Sequence, residues 1–268
     1  MPILALKLVL APFLIGGTSL AARRWGPAVG GWLVGLPLTS GPVAFFVAVE
    51  QGIPFAVDVG RSVLAGGFAL CAYSIVYALA AAARLGPLAA LGVASVTYVL
   101  SAALLGAIEL PGLALLATTV GLTLVVTLRS LPAPTDAHAL ARPPRWDLPA
   151  RILVGTTLIV ALTTVAPILG PRASGLISTY PVYVSTLTFF AHRQGGPSSV
   201  AAMLRGLTLG LFGWLAFWTA LLAVLPSGGV AAGFGSAIVA ALAVQGISFR
   251  VLGSSTGDVA REIGEVVP

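Results

Sequence analysis

Charged side chains are scarce in this sequence: only 8% of its 268 residues are Asp, Glu, Lys or Arg. Ordinary soluble domains carry about 25%. With 58% of residues hydrophobic and a mean hydropathy of +1.04, the excess apolar side chains must face lipid. A soluble enzyme, a nucleic-acid binder and a disordered regulator are excluded together. Cysteine is nearly missing as well. The single thiol, Cys71, falls within an apolar run, so no intramolecular disulfide can form and the redox compartment is not encoded. Histidine is limited to His138 and His192. Phosphate-binding loops, zinc-ligand spacings and a Ser-His-Asp set at membrane depth are all lacking. No enzymatic activity, cofactor or metal is expected.

The 14 Lys and Arg against 8 acids give a net charge of +6. These cations are scattered between apolar spans, unlike the dense patches that bind nucleic acid, and they read as topology signals. A helix needs about 20 apolar residues to cross a bilayer. By that measure the chain contains nine spans, near 3–22, 28–49, 57–81, 86–107, 111–128, 149–168, 173–192, 199–225 and 230–249. The run from Ile3 to Ala22 contains Lys7, and Arg23 and Arg24 follow it rather than precede it, so it reads as a retained helix and not a cleaved signal. The proline-rich stretch from Arg129 to Leu148 is a linker. With the N-terminus outside, only Lys7, Arg61 and Arg172 remain on the outer side. The positive-inside rule therefore predicts an outer N-terminus, a cytoplasmic linker and a cytoplasmic C-terminus.

An internal repeat organises these spans. A gapless shift of 144 residues lays Gly26–Pro27 on Gly170–Pro171, Pro37 on Pro181, Phe45–Phe46 on Phe189–Phe190, Gly52 on Gly196 and Arg61 on Arg205. It also lays Lys7 on Arg151. Each copy holds four spans, and the fifth span between them inverts the second copy. The expected architecture is an all-α polytopic membrane protein. Repeat 1 covers 1–108, a connecting span and linker 109–148, the inverted repeat 2 149–250, and a cytoplasmic tail 251–268.

Lys7 in the first span, the stretch ARRWGPAVGGWLVGLPLTSGP at 22–42, a turn at Gln51–Gly52 and a glycine-rich span ending near Tyr73 and Tyr77 form a signature. A looser copy, GPRASGLISTYPVYVST followed by Gln194–Gly195, lies in the second half. The signature resembles the small bacterial GlpM-like integral membrane proteins, short chains read as four spans. It covers about two thirds of the sequence. The resemblance implies a fused, inverted pair of such units in a bacterial inner membrane and is nearly silent about activity. This chain departs from the family in being duplicated and in losing acids from the second copy.

Pro37 and Pro181 each remove a backbone donor near mid-membrane, with Thr39, Ser40, Tyr180, Tyr183 and Ser185 beside them. Interrupted spans at matching places in inverted halves point to a transporter binding site; kinked packing helices are the alternative. Arg61 and Arg205 sit inside their spans, where a cation faces a cavity or a partner or snorkels to the headgroups. Asp58 stands one turn before Arg61 and can pair with it. Arg205 has no acid nearby, leaving an anionic ligand, a lipid phosphate or backbone carbonyls as its partner. Lys7 and Arg151 read as snorkelling. Glu50 and Asp58 are the candidate coupling acids. Gly31–Gly35, Gly206–Gly210 and Gly229–Gly233 carry the small-xxx-small spacing of close helix pairs.

Together these features predict a secondary transporter for a small anionic or phosphate-bearing solute, working by alternating access. A lipid or lipid-linked phosphate translocator and a non-transporting accessory subunit of a membrane enzyme are the alternatives. The expected partners are membrane lipids and a small-molecule substrate, with no nucleic acid; a homodimer is left open.

Overall fold

A computed structural model describes residues 2–38, 40–105, 112–133, 146–165 and 180–265. Among the described residues every regular element is an α-helix: α1 (Pro2–Trp25), α2 (Pro27–Val34), α3 (Ser40–Glu50), α4 (Ile53–Ala82), α5 (Pro87–Leu105), α6 (Leu113–Ser130) and α7 (Asp147–Val165). A final helical run, Val182–Glu265, is broken at Gly196 and Gly229 into α8 (182–195), α9 (197–228) and α10 (230–265). Among the described residues four stretches are long and apolar enough to cross a membrane: Ile53–Ala82, Pro87–Leu105, Leu113–Ser130 and Val182–Arg250. The last of these contains both breaks. The protein is a helical membrane protein.

Glycine and proline set the helix boundaries. Gly52 (φ 90°, ψ 164°) precedes α4, and Gly196 (φ 62°, ψ −157°) precedes α9. Both conformations are closed to residues with a Cβ. A proline follows each within two residues, Pro54 and Pro197, where its missing N–H costs the new helix nothing.

The apolar run expected as one span at 28–49 is two helices, α2 and α3, separated at 35–39. Proline accounts for the break. The Leu33 carbonyl, which residue 37 would have bonded in a continuous helix, instead accepts the Leu36 N–H at 3.2 Å. The Pro37 carbonyl then accepts the Gly41 N–H at 2.9 Å and starts α3. Before α8, Tyr180 and Pro181 are likewise non-helical, and the Pro181 carbonyl accepts the Ser185 N–H at 2.9 Å.

The core lies between α4 and α9. Leu64, Tyr73 and Tyr77 of α4 and Leu204, Leu207, Trp218, Leu221 and Leu225 of α9 are fully buried. Gly60 and Gly67 of α4 leave room for the rings of Trp218 and Trp214. The helices around them turn large apolar side chains outward: Leu88, Leu100 and Leu104 on α5, Leu122 and Val126 on α6, Val239, Leu242 and Ile247 on α10. Such an apolar exterior suits a lipid solvent.

The tightest packing is where α2 crosses α9. A Cβ on Gly31 would lie 1.9 Å from the Met203 carbonyl oxygen, and one on Gly210 2.3 Å from that of Trp32. The glycine pairs Gly31–Gly35 and Gly206–Gly210 thus face each other, backbone to backbone, as small-residue interfaces do in lipid. Gly229–Gly233 is different. Gly229 (φ 73°) forms the break between α9 and α10, and Gly233 packs on Leu225, with a Cβ there 3.0 Å from the leucine Cα. This spacing serves a tight helix–helix turn instead of a separate helix pair.

Candidate functional site

Polar groups gather where the C-terminal ends of α1 and α8 meet the N-terminal ends of α2, α7 and α9. Asp147, buried at the start of α7, is the centre of this cluster. Its Oδ2 accepts from Arg23 Nη2 at 2.8 Å and from Arg151 Nε at 2.9 Å. Its Oδ1 accepts from Gln194 Nε2, and Gln194 Oε1 in turn accepts from Arg151 Nη2 at 2.8 Å. The Arg151 guanidinium stacks 4.9 Å from the centre of the Phe190 ring, a favourable placement for a cation over a π face.

The expectation that Arg151 snorkels is therefore corrected: its side chain is 6% exposed. A carboxylate one turn back on the same helix, an amide on α8 and an aromatic face supply what the headgroups would otherwise provide. Arg23, 28% exposed, stands at the mouth of the cluster. Beside these groups is a cavity of about 140 Å³ lined by Ser19, Arg23, Arg151, Gln194 and Ser199 on its polar side and by Leu187 and Met203 on its apolar side.

The residues singled out around Pro37 and Pro181 fall into two small constellations. Tyr180 Oη lies 2.6 Å from Ser95 Oγ and accepts from Ser185 Oγ at 3.0 Å, while Ser95 donates to the Leu91 carbonyl at 2.7 Å. One proton per hydroxyl gives a single consistent direction: Ser185 to Tyr180, Tyr180 to Ser95, Ser95 to the α5 backbone. Tyr180 also packs edge-on against Tyr98, 5.7 Å between ring centres. Tyr183 lies apart from these, lining a recess of about 30 Å³ with Leu33, Leu36 and Leu38 at the first helix break. That is room for about one water. Thr18 borders both this recess and the larger cavity. Pro37 lies within the break, Ser40 starts α3, and Thr39 lies outside the described residues.

The structure does not bring Arg61 and Arg205 into the cavity. Arg61 is exposed on α4. Arg205 donates from Nη1 to the carbonyls of Leu131, at 2.9 Å, and Leu128, at 3.2 Å. It thereby satisfies carbonyls left open at the C-terminal turn of α6, where a cation is also favoured by the helix dipole. Of the three partners the sequence allowed for Arg205, backbone carbonyls are the ones present.

Asp58 and Arg61 form no ion pair; the two pairs among the described residues both involve Asp147. Asp58 and Arg61 are exposed, and such a pair on an exposed helix face is worth only a few tenths of a kcal/mol, roughly 0.2–0.5. Glu50 is exposed at the end of α3. The side chain of Lys7, together with Glu109, His138 and the part 173–179 of the span expected at 173–192, lies outside the described residues.

Sequence reasoning missed Ser19, Arg23, Asp147 and Gln194. One local signal was available: Asp147 and Arg151 stand four apart at a helix start, the spacing of an intrahelical ion pair. No group of His, Cys, Asp and Glu suited to a metal occurs among the described residues. Compared with family profiles, curated proteins and solved structures, the chain matches none.

Proposed function

We propose that this protein is a secondary transporter for a small anionic or phosphate-bearing solute, working by alternating access between two inverted halves. The observation that carries the reading is the break at 35–39 between α2 and α3, with Tyr180 and Pro181 non-helical ahead of α8 at the place the 144-residue shift matches to it. Discontinuous spans at matching positions in inverted repeats are the usual place of a transporter's binding site.

Helix boundaries support the repeat. The 144-residue shift that aligns the sequence also lays the start of α4 on that of α9 and the break at Gly52 on the break at Gly196. The GlpM-like signature at 22–42 belongs to the same reading, each half standing for one short chain of that family. The preference for an anion rests on two guanidiniums sharing one carboxylate at the cavity. Contacts join cations that the count assigns to the cytoplasmic side: Arg23 with Arg151 through Asp147, and Arg205 with the end of α6 beside Arg129. This favours an outer N-terminus and a cytoplasmic C-terminus in a bacterial inner membrane.

In this conformation the recess at the first break is too small for a solute, and the polar cavity next to it, sharing Thr18, is larger. A path from the cavity past Thr18 to Pro37, Ser40 and Tyr183, and on to Tyr180 and Ser185, is the route we assign. The test is uptake of labelled phosphate, succinate and choline by proteoliposomes. Saturable uptake of one of the anions, abolished by Ser40→Phe, is expected. No uptake above protein-free vesicles for any of the three would overturn the reading.

A further inference from the structure

The cavity beside Asp147 is finished on its acidic side and unfinished on its basic side. Asp147 accepts three hydrogen bonds, from Arg23, Arg151 and Gln194, so its negative charge is fully engaged. Two guanidiniums share that one carboxylate, which leaves the cluster with one positive charge in excess. A largely buried net charge is costly unless something compensates it.

The unused hydrogen-bonding capacity is on the donor side. Arg23 Nε is buried without a partner, and so is the hydroxyl of Ser19, a residue with no exposed surface that lines the same cavity. The backbone adds to this. Pro27 and Gly30 in the first turn of α2 and Ser199 in the first turn of α9 line the cavity, so the positive ends of two helices approach it. The first turn of α2 has no acid, and 197–200 of α9 is Pro-Ser-Ser-Val, so those two ends are not neutralised by a side chain.

We infer that this cavity binds a phosphate-type oxyanion, held by Arg23, Arg151 and the Ser19 hydroxyl at the helix N-termini. Helix N-termini with nearby guanidiniums are the general means of holding such a group. A volume of about 140 Å³ accommodates a single phosphate group. The same chemistry is offered by free inorganic phosphate and by a lipid phosphate headgroup, and Arg23 at the mouth is open to either. The site is judged by binding and the transport reading by uptake, so the two fail separately.

The experiment is calorimetric titration of the full chain in a non-ionic detergent, with inorganic phosphate in one arm and dihexanoyl phosphatidic acid in the other. Binding of at least one probe is expected. Loss of a charge-assisted hydrogen bond should weaken it by about tenfold or more in Arg23→Gln. Ser19→Ala, which removes one buried hydroxyl and leaves the ion pairs whole, should weaken it severalfold, and Arg129→Gln on the exposed end of α6 should not change it. Phosphate binding assigns the site to a free anion. Binding of the lipid phosphate alone assigns it to a headgroup. Silence from both probes, or equal affinity in wild type, Arg23→Gln and Ser19→Ala, overturns the inference.

Discussion

Gly206 of α9 lies against Ala28 of α2 so closely that a Cβ on Gly206 would sit 1.9 Å from the Ala28 carbonyl oxygen. Neither atom belongs to a side chain that could rotate away. Gly206→Ala must therefore push two helices apart. Overpacking typically costs about 1–3 kcal/mol, and a backbone-to-backbone clash falls at the upper end. A clear drop in melting temperature in detergent is expected. Gly92→Ala on α5, where an added Cβ meets nothing within 4 Å, should leave the melt unchanged or raise it, since alanine favours the helix by about 1 kcal/mol. Equal behaviour of the two variants would contradict the crossing described here.

Asp147 compensates two arginines, so removing its charge harms more than removing either of theirs. Asp147→Asn leaves Arg23 and Arg151 facing each other across a neutral amide. Breaking a buried pair costs about 3–5 kcal/mol, and the partial exposure of Arg23 places the expected loss at the lower end. Arg23→Gln keeps the Asp147–Arg151 pair and should melt closer to wild type. Unfolding curves of the two variants, measured side by side, check the order.

Arg205 acts here as a cap on α6. Arg205→Gln should expose the carbonyls of Leu128 and Leu131 and destabilise by about 1.5–3 kcal/mol, the usual weight of hydrogen bonds to a charged group. Faster amide exchange should be confined to the last turn of α6, and phosphate affinity should be unchanged. A variant that melts normally but loses affinity would return Arg205 to the role of ligand contact.

The proposed inverted repeat makes a prediction for the opposite end of the molecule. The 144-residue shift lays Lys7 on Arg151 and Glu50 on Gln194, and Arg151 and Gln194 are hydrogen-bonded. If inverted halves exchange conformations, Lys7 and Glu50 approach each other when the Arg151–Gln194 contact opens. Lys7→Cys with Glu50→Cys should cross-link in that second state, and Arg151→Cys with Gln194→Cys in the present one. Cys71 is buried and should stay unlabelled by maleimide in the folded protein. A solute that raises one cross-link should lower the other; independent yields would count against exchange.

Much of the scaffold was legible because glycine and proline act locally. The break at Pro37, the helix starts after Gly52 and Gly196 and the facing of two small-residue motifs follow from what one or two residues can do with their backbones. The polar cluster was not legible for the opposite reason. Arg23 and Asp147 are 124 positions apart, and Arg151 and Gln194 are 43 apart; only the packing of α1, α7 and α8 unites them. Depth in a span was a poor guide as well. Arg151 near a helix start suggested an escape to the headgroups, whereas its counterion lay on the same helix. Arg205, deeper in its span, found its partners in a neighbouring helix end, which no side-chain pattern records.

The glycine crossing has a mechanical consequence. Interlocked side chains resist sliding because each step must lift a knob out of its hole, as in coiled-coil packing. At Gly31 and Gly35 against Gly206 and Gly210 there are no knobs to lift. α2 and α9 meet there like two smooth rods, free to swivel about their point of contact while staying pressed together. At that bearing α2 can tilt on α9 with no side chain to displace, while α4 stays locked to α9 by the interdigitated Leu64, Tyr73, Tyr77 and Trp218 of the shared core.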